Sequence, residues 1–391
     1  MAAKLSASAK LCFGSGFNTD GRSHAIESLP VWPGVHVQFY QKRRCAAAEL
    51  IMGGKQATLA VNGNSNRGRD TKWATEGDNG VRKKVRVAYQ GIPGAFSEAA
   101  ATTAHPGCEG VPCKGYEDAI WAVESRKADR AILPVEGTLE GNAVRNYDLL
   151  LHHSLYIVEE IRLFVNYCLL VAPGVRKEQV RRVMSHPMAL AHCSHGLKKL
   201  GLDVVTREAV DDTAGAAEFV HSRGLRDTAA IASCRAAEIY GLDVVARNVQ
   251  DEPWNVTRFL VLARQPYTDD DNVGVGAVVG VDRAWKTSIV IAHEGGLDVL
   301  LKLLSVFSFH NISLTKLEVN PQGSAPLRVL DIDAKGGAAV RQFEYVFYID
   351  FEASEADPHA QRALEEVRRF ATFVRVLGCY VSRPKIHTLD P

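Results

Sequence analysis

The sequence predicts an α/β protein built mostly of alternating strands and helices, with a smaller domain of different order at its end. Three observations lead there. From Val85 to Ala263, apolar runs of strand length alternate with stretches of helical spacing. Several of these runs end in short polar or glycine-bearing turns that open into a helix, as strand–helix units do. After Arg264 a polar, Gly-rich stretch containing Asp269-Asp270-Asp271 precedes a last segment reading β, α, β, β, α, β, the order of a ferredoxin-like domain.

Residues 1–82 show no sustained period. Acidic residues are sparse up to Arg69, whereas Lys4, Lys10, Arg22, Lys42, Arg43, Arg44, Lys55, Arg67 and Arg69 supply positive charge. This is the composition of an organelle transit peptide, here of plastid type, followed by linker; a plain disordered tail is the alternative. Order begins with a strand at Val85–Tyr89, a turn at Gln90–Gly94 and a helix over Ala95–Ala104. A helix over Tyr116–Lys127 and a strand over Ala131–Val135 follow, and Asn142 is placed to cap a helix running to Leu151. Extended segments Leu155–Ile161 and Tyr167–Ala172 lead to the strand Arg182–Met184, with Pro187 in the first turn of the next helix. That helix covers Ala189–Leu200, and strands are expected at Asp203–Thr206, Thr228–Ala232 and Asp243–Ala246. Helices capped near Asp212 and starting at Cys234 lie between them. Phe259–Ala263 is an unbroken apolar run suited to a buried parallel strand. The body spans 83–265, a linker 266–285 and the small domain 286–385.

Composition narrows the function classes. The net charge of +1 gives no reason to expect nucleic acid as a partner, and no run of about 18 apolar residues marks a membrane span. The eight cysteines show no CxxC spacing, so they read as buried or idle thiols, with Cys108 and Cys113 the pair nearest in sequence. His192 and His195 lack a sequence-adjacent carboxylate and read as structural rather than metal-binding.

Chemistry in such folds gathers at the carboxyl ends of strands. Four polar turns occupy that kind of position: Gln90 to Ser97, Glu136 to Asn142, Ser185 to Pro187, and Asn255 to Arg258. Strand alternation sends Thr257 and Phe259 to one side and Arg258 to the other, where its guanidinium can meet a carboxylate or an adjoining lobe.

Tyr89 to Glu98, Pro134-Val135-Glu136, Arg145 to Leu151, Ser185-His186-Pro187, Asp211 to Ala217 and Asn255 to Phe259 together resemble plant arogenate/prephenate dehydratases. The resemblance implies a two-lobed, parallel-sheet dehydratase domain like the type II periplasmic binding proteins, followed by an ACT regulatory domain. It implies loss of CO2 and a ring hydroxyl from arogenate, giving phenylalanine, or from prephenate, giving phenylpyruvate. Aromatisation drives this, so no cofactor or metal is expected. By the same resemblance Thr257 aids hydroxyl departure, while Ser97, Glu136, Thr138, Ser185, Asn255, Arg258 and Phe259 bind or support the substrate. Gly296, Leu297, Asn311, Leu314 and Glu318 would form a phenylalanine effector site in a homodimer or homotetramer of the chloroplast stroma.

The sequence also departs from that pattern. Gly137 replaces an asparagine, Glu140 a glycine and Met188 a glutamine, while Glu318-Val319-Asn320-Pro321 stands where Glu-Ser-Arg-Pro is usual. These changes support an alternative, a catalytically impaired paralogue that binds aromatic ligands or regulates active subunits. They also leave open an ACT domain serving dimerisation alone.

Overall fold

The computed structural model describes residues 39–40, 84–267, 284–293, 298–322, 327–332, 338–383 and 385–388. The expected transit segment, most of the 266–285 linker, and Gly296 and Leu297 lie outside them.

The body has two lobes, each on its own sheet. In the first the strand order is Ile386–His387, Tyr156–Phe164, Val256–Ala263, Arg130–Gly137, Arg86–Gln90, Glu109–Cys113. The second runs Asp243–Ala246, Cys168–Val171, Thr228–Ala232, Arg182–Ser185, Thr206–Ala209. Each sheet is mixed where parallel pairing alone was expected. Val256–Ala263 runs antiparallel to both neighbours, and Cys168–Val171 does the same. The cause is the path of the chain, which crosses between lobes twice; the strands flanking each crossing return against their neighbours, while the strand–helix units stay parallel.

The two crossings lie side by side. Val165 N–H donates to Asn255 O (2.8 Å), Val249 N–H to Tyr167 O (2.9 Å), and Tyr167 N–H to Gln250 Oε1 (3.0 Å). The turn after the first strand bridges the lobes at a third point. Ser233 Oγ donates to Gly94 O (2.7 Å), and a Cβ on Gly94, whose φ is +93°, would meet Ala236 Cα at 2.9 Å. Only glycine suits both the conformation and the space.

Local departures from expectation have local causes. Glu109–Cys113 contains Gly110 and Pro112 and shows no apolar alternation, yet pairs as an edge strand, where proline is tolerated. The helix expected over Ala189–Leu200 is two, Pro187–His192 and Ser194–Lys199, because Asp251 from the second crossing accepts from Gly196 N (2.8 Å) and anchors the later one separately. Asp251 also meets His195 Nδ1 at 3.0 Å, supplying the carboxylate that sequence proximity did not reveal. The strand expected at Asp203–Thr206 lies at Thr206–Ala209, and Asn142 pairs with Glu136 rather than capping a helix.

The small domain has the antiparallel order Leu314–Pro321, Tyr345–Phe351, Trp285–His293, Phe373–Val381, with an added hairpin, Leu327–Ile332 and Ala338–Phe343. Helices Asp298–Phe309 and Pro358–Phe370 cover one face through Leu303, Phe307, Leu364 and Val367. The other face does not meet solvent. Val290, Tyr348, Leu377 and Tyr380 join Leu260, Leu262 and Leu133 of the first lobe in one core. At Gly378 an added Cβ would stand 2.1 Å from Ile157 O, so strand and lobe touch backbone to backbone.

Cys168 and Cys234 form a disulfide, correcting the reading of idle thiols, whereas Cys108 and Cys113 are free. The bonded pair is separated by 66 residues and joins the first strand of lobe two to the helix packed on Gly94. Reduction is expected to lower stability by about 2–4 kcal/mol. Urea midpoints with and without dithiothreitol, compared with Cys168→Ser/Cys234→Ser, check this; a midpoint unmoved by reductant refutes it.

Candidate active site

Strand Val256–Ala263 divides the first lobe's chemistry between its two faces. Phe259 and Val261 pack with Val87 and Tyr89 under helix Phe96–Ala104, whose buried alanines let it approach the sheet closely. Thr257 shares that side, half-buried, and its hydroxyl has no hydrogen-bond partner among the described residues. Ser97, in the first turn of the helix, is 7% exposed and likewise unengaged among them. Phe96 meets Tyr167 of the first crossing edge to face, with centroids 5.6 Å apart. The Asn255 side chain donates to Val165 O (3.1 Å), tying hinge to strand. Phe96 packs against the cores of both lobes, at the junction between them.

Arg258 points the other way, as alternation required. Its Nε donates to Glu160 Oε2 (2.8 Å), Nη1 to Glu136 Oε2 (3.2 Å) and Nη2 to Tyr380 Oη (3.0 Å). Nη2 also lies 2.8 Å from Asp350 Oδ2, a charge contact without hydrogen-bond alignment. Lys286 donates to both Glu160 oxygens (2.8 and 3.0 Å), and Lys316 pairs with Glu136 and with Asn142 Oδ1 (2.6 Å). Lys286, Lys316, Asp350 and Tyr380 all belong to the small domain, so the strand bearing Thr257 is held from behind by another domain's charges.

These charges set each other's state. Burial alone pushes the Glu136 and Glu160 carboxyls up, but Arg258, with Lys316 for Glu136 and Lys286 for Glu160, outweighs it and holds both below the usual range. Burial pulls the Arg258 guanidinium down, and Tyr380, Asp350, Tyr147 and Glu160 more than reverse it. Burial drives the Tyr380 hydroxyl far up, so it stays a neutral donor or acceptor.

The remaining predicted residues are placed as follows. Thr138 Oγ1 donates to Trp254 O (2.8 Å) and accepts from Val256 N (3.0 Å), fastening the loop after Glu136 to strand Val256–Ala263. Ser185 is fully buried and donates to Ile231 O (2.6 Å). Glu318 pairs with Asn142, and Asn320 Nδ2 with Asp148 Oδ1 (2.9 Å), so the altered Glu-Val-Asn-Pro strand docks on the 136–148 segment. Asn311 ends a helix with φ +53°, and Leu314 packs against the small-domain core. Met188 is 39% exposed. A cavity of about 460 Å³, lined by Asn142, Arg162, Trp254 and Arg258, opens on the face of the strand away from Thr257. Sequence reasoning did not single out Phe96, Tyr167, Glu160, Lys286 or Tyr380. Their aromatic and charged types were visible, but their partners lie far away along the chain.

A family model described as prephenate dehydratase matches residues 87–267. Arogenate dehydratase/prephenate dehydratase 6, chloroplastic, of Arabidopsis thaliana is 58% identical over 296 residues, covering 76% of this chain and 68% of that one. Among solved structures, a prephenate dehydratase from Arthrobacter aurescens in complex with L-Phe aligns at 25% identity and TM-score 0.62, covering 76% of this chain and 90% of the other. GqqA, described as a novel type of quorum quenching acylase, aligns at 30% identity and TM-score 0.62, covering 76% and 98%.

Proposed function

This chain belongs to the arogenate dehydratase/prephenate dehydratase family, and from that premise we propose that its interlobe cleft holds the substrate against Thr257 and Ser97. The reaction is the decarboxylating dehydration of phenylalanine biosynthesis, from L-arogenate to L-phenylalanine, from prephenate to phenylpyruvate, or both. The observation that carries this reading is the pair of unengaged hydroxyls on the cleft side of the lobe-one sheet, beside the Phe96–Tyr167 aromatic wall. As the ring carboxylate leaves as CO2, its bonding electrons enter the ring and expel the hydroxyl from the opposite carbon. The departing oxygen takes up a proton and leaves as water. A threonine hydroxyl is a weak acid, so Thr257 acts by hydrogen-bonding the departing oxygen in a cleft that excludes bulk water.

In this reading Thr138 and Ser185 hold backbone in place, Asn255 fixes the hinge, and Glu136 and Arg258 brace the strand from behind. The protein works in the chloroplast, and we assign it to the stroma, as a homodimer or homotetramer joined through the ACT domain. A phenylalanine effector would bind at that domain. Formation of phenylalanine from arogenate and of phenylpyruvate from prephenate tests the reaction directly; folded protein that converts neither refutes it.

Gly137 leaves room for the asparagine usual in the family, since an added Cβ would lie 3.6 Å from Glu140 Cβ. Gly137→Asn is expected to raise kcat/KM for both substrates by roughly fivefold to tenfold, the worth of one neutral hydrogen bond. Adding Met188→Gln should extend the gain. Unchanged kinetics in the double variant would show that the native cleft lacks neither amide.

A further inference from the structure

The cavity of about 460 Å³ behind the Thr257 strand is built by cross-strand register. Val256 stands opposite Phe164 and Arg258 opposite Arg162, while Thr257 stands opposite Leu163. Alternation therefore puts Val256, Phe164, Arg258 and Arg162 on one face and Thr257 on the other. Ile386 of the C-terminal strand pairs beside Arg162 and closes the edge of the cavity.

Three charged side chains line this space: Glu136, Arg162 and Arg258. Two of them are committed. Arg258 is bound to Glu160, Glu136 and Tyr380, and Glu136 is shared by Arg258 and Lys316. Arg162 is half-buried and makes no hydrogen bond or ion pair among the described residues, although its charge reaches Glu160. A guanidinium is a planar fork of donors that matches a carboxylate, and this one is left to an outside partner.

Trp254 is held at the rim. Its carbonyl accepts from Thr138 Oγ1 (2.8 Å), and its ring meets Phe164 edge to face with centroids 5.1 Å apart. Yet the residue is 61% exposed, so most of the indole remains available to a second ring. On another wall Asn142 is oriented by Lys316, which donates to its Oδ1 (2.6 Å), and by Glu318, which accepts from its Nδ2.

We infer that this cavity binds a small aromatic monocarboxylate, with the carboxylate on Arg162 and the ring against Trp254. One free cation, with Glu136 beside it and Glu318 beyond Asn142, suits a single negative charge and disfavours a dicarboxylate. The volume is that of a small-ligand site. The inference stands apart from the dehydratase reading, because the charged groups of this cavity lie on the face away from Thr257.

Tryptophan fluorescence titrated with 3-phenylpropionate tests it, with 3-phenylpropan-1-ol as the neutral analogue and inorganic phosphate as the plain anion. Native protein is expected to show a saturable change that Trp254→Phe removes. Arg162→Gln should weaken the Kd about tenfold or more, the effect of losing one charge-assisted pair. Because Arg162 bonds no described residue, the Tm should stay at the native value, which separates lost binding from lost fold. Arg162→Lys keeps the charge and should recover part of the affinity, which decides the matter if the Gln variant does not fold. A Kd within twofold of native in Arg162→Gln, or binding of the alcohol or of phosphate as tight as that of 3-phenylpropionate, overturns the inference. So does a signal that survives Trp254→Phe, or no saturable change up to about 10 mM.

Discussion

Thr257→Ala is expected to lower kcat for phenylalanine formation by about 10²–10³-fold, the range for losing one positioned hydrogen-bond donor to developing charge. The change should leave the fold intact. Thr257 is half-buried and its hydroxyl bonds no described residue, so its removal orphans no protein partner. Thr257→Ser should recover most of the rate, because the hydroxyl returns on the same strand position. Steady-state turnover of arogenate, with circular dichroism as the folding control, decides it. A kcat within tenfold of native would move the departing-oxygen contact to another group, with Ser97 next in line.

Glu160→Gln is expected to be the most damaging single change for stability. Glu160 is fully buried and is shared by Arg258 and Lys286, which are themselves 6% and 3% exposed. Neutralising it leaves two buried cations short of a counter-charge, a loss of about 3–5 kcal/mol when a buried pair is broken from one side. The denaturant midpoint measures this, and a cost under about 1 kcal/mol would mean that water reaches the network. The same network sets the acid limit. Glu136 and Glu160 are held below the ordinary carboxyl range in the folded protein. Their contribution is therefore complete above the unfolded-state value and is lost as pH falls through the lowered one.

Strand period alone was enough to send Thr257 and Arg258 to opposite faces, because alternation is a local rule. The identity of Arg258's partners was not legible. Glu160 and Asp350 stand 98 and 92 positions away in sequence, and nothing local joins them. Hydroxyls were misleading in a different way. Ser97, Thr138, Ser185 and Thr257 look alike in sequence, yet only tertiary placement shows that Thr138 and Ser185 bond backbone while the other two hydroxyls bond no described residue. The Phe259–Ala263 run signalled burial on both faces correctly, but a central antiparallel strand carries the same signature as a parallel one. The Cys168–Cys234 bond spans too much chain for spacing to reveal it.

The contact at Gly378, where a strand of the small domain lies against Ile157 O, bears on how this architecture can be taken apart or rebuilt. The two pieces are not beads on a string. A chimaera carrying another sensory module would have to reproduce a side-chain-free position there, together with Lys286, Lys316, Asp350 and Tyr380, or leave charges of the first lobe stranded. Evolution of the regulatory half is thus constrained by the solvation of the catalytic half, and drift in one is filtered through the folding of the other.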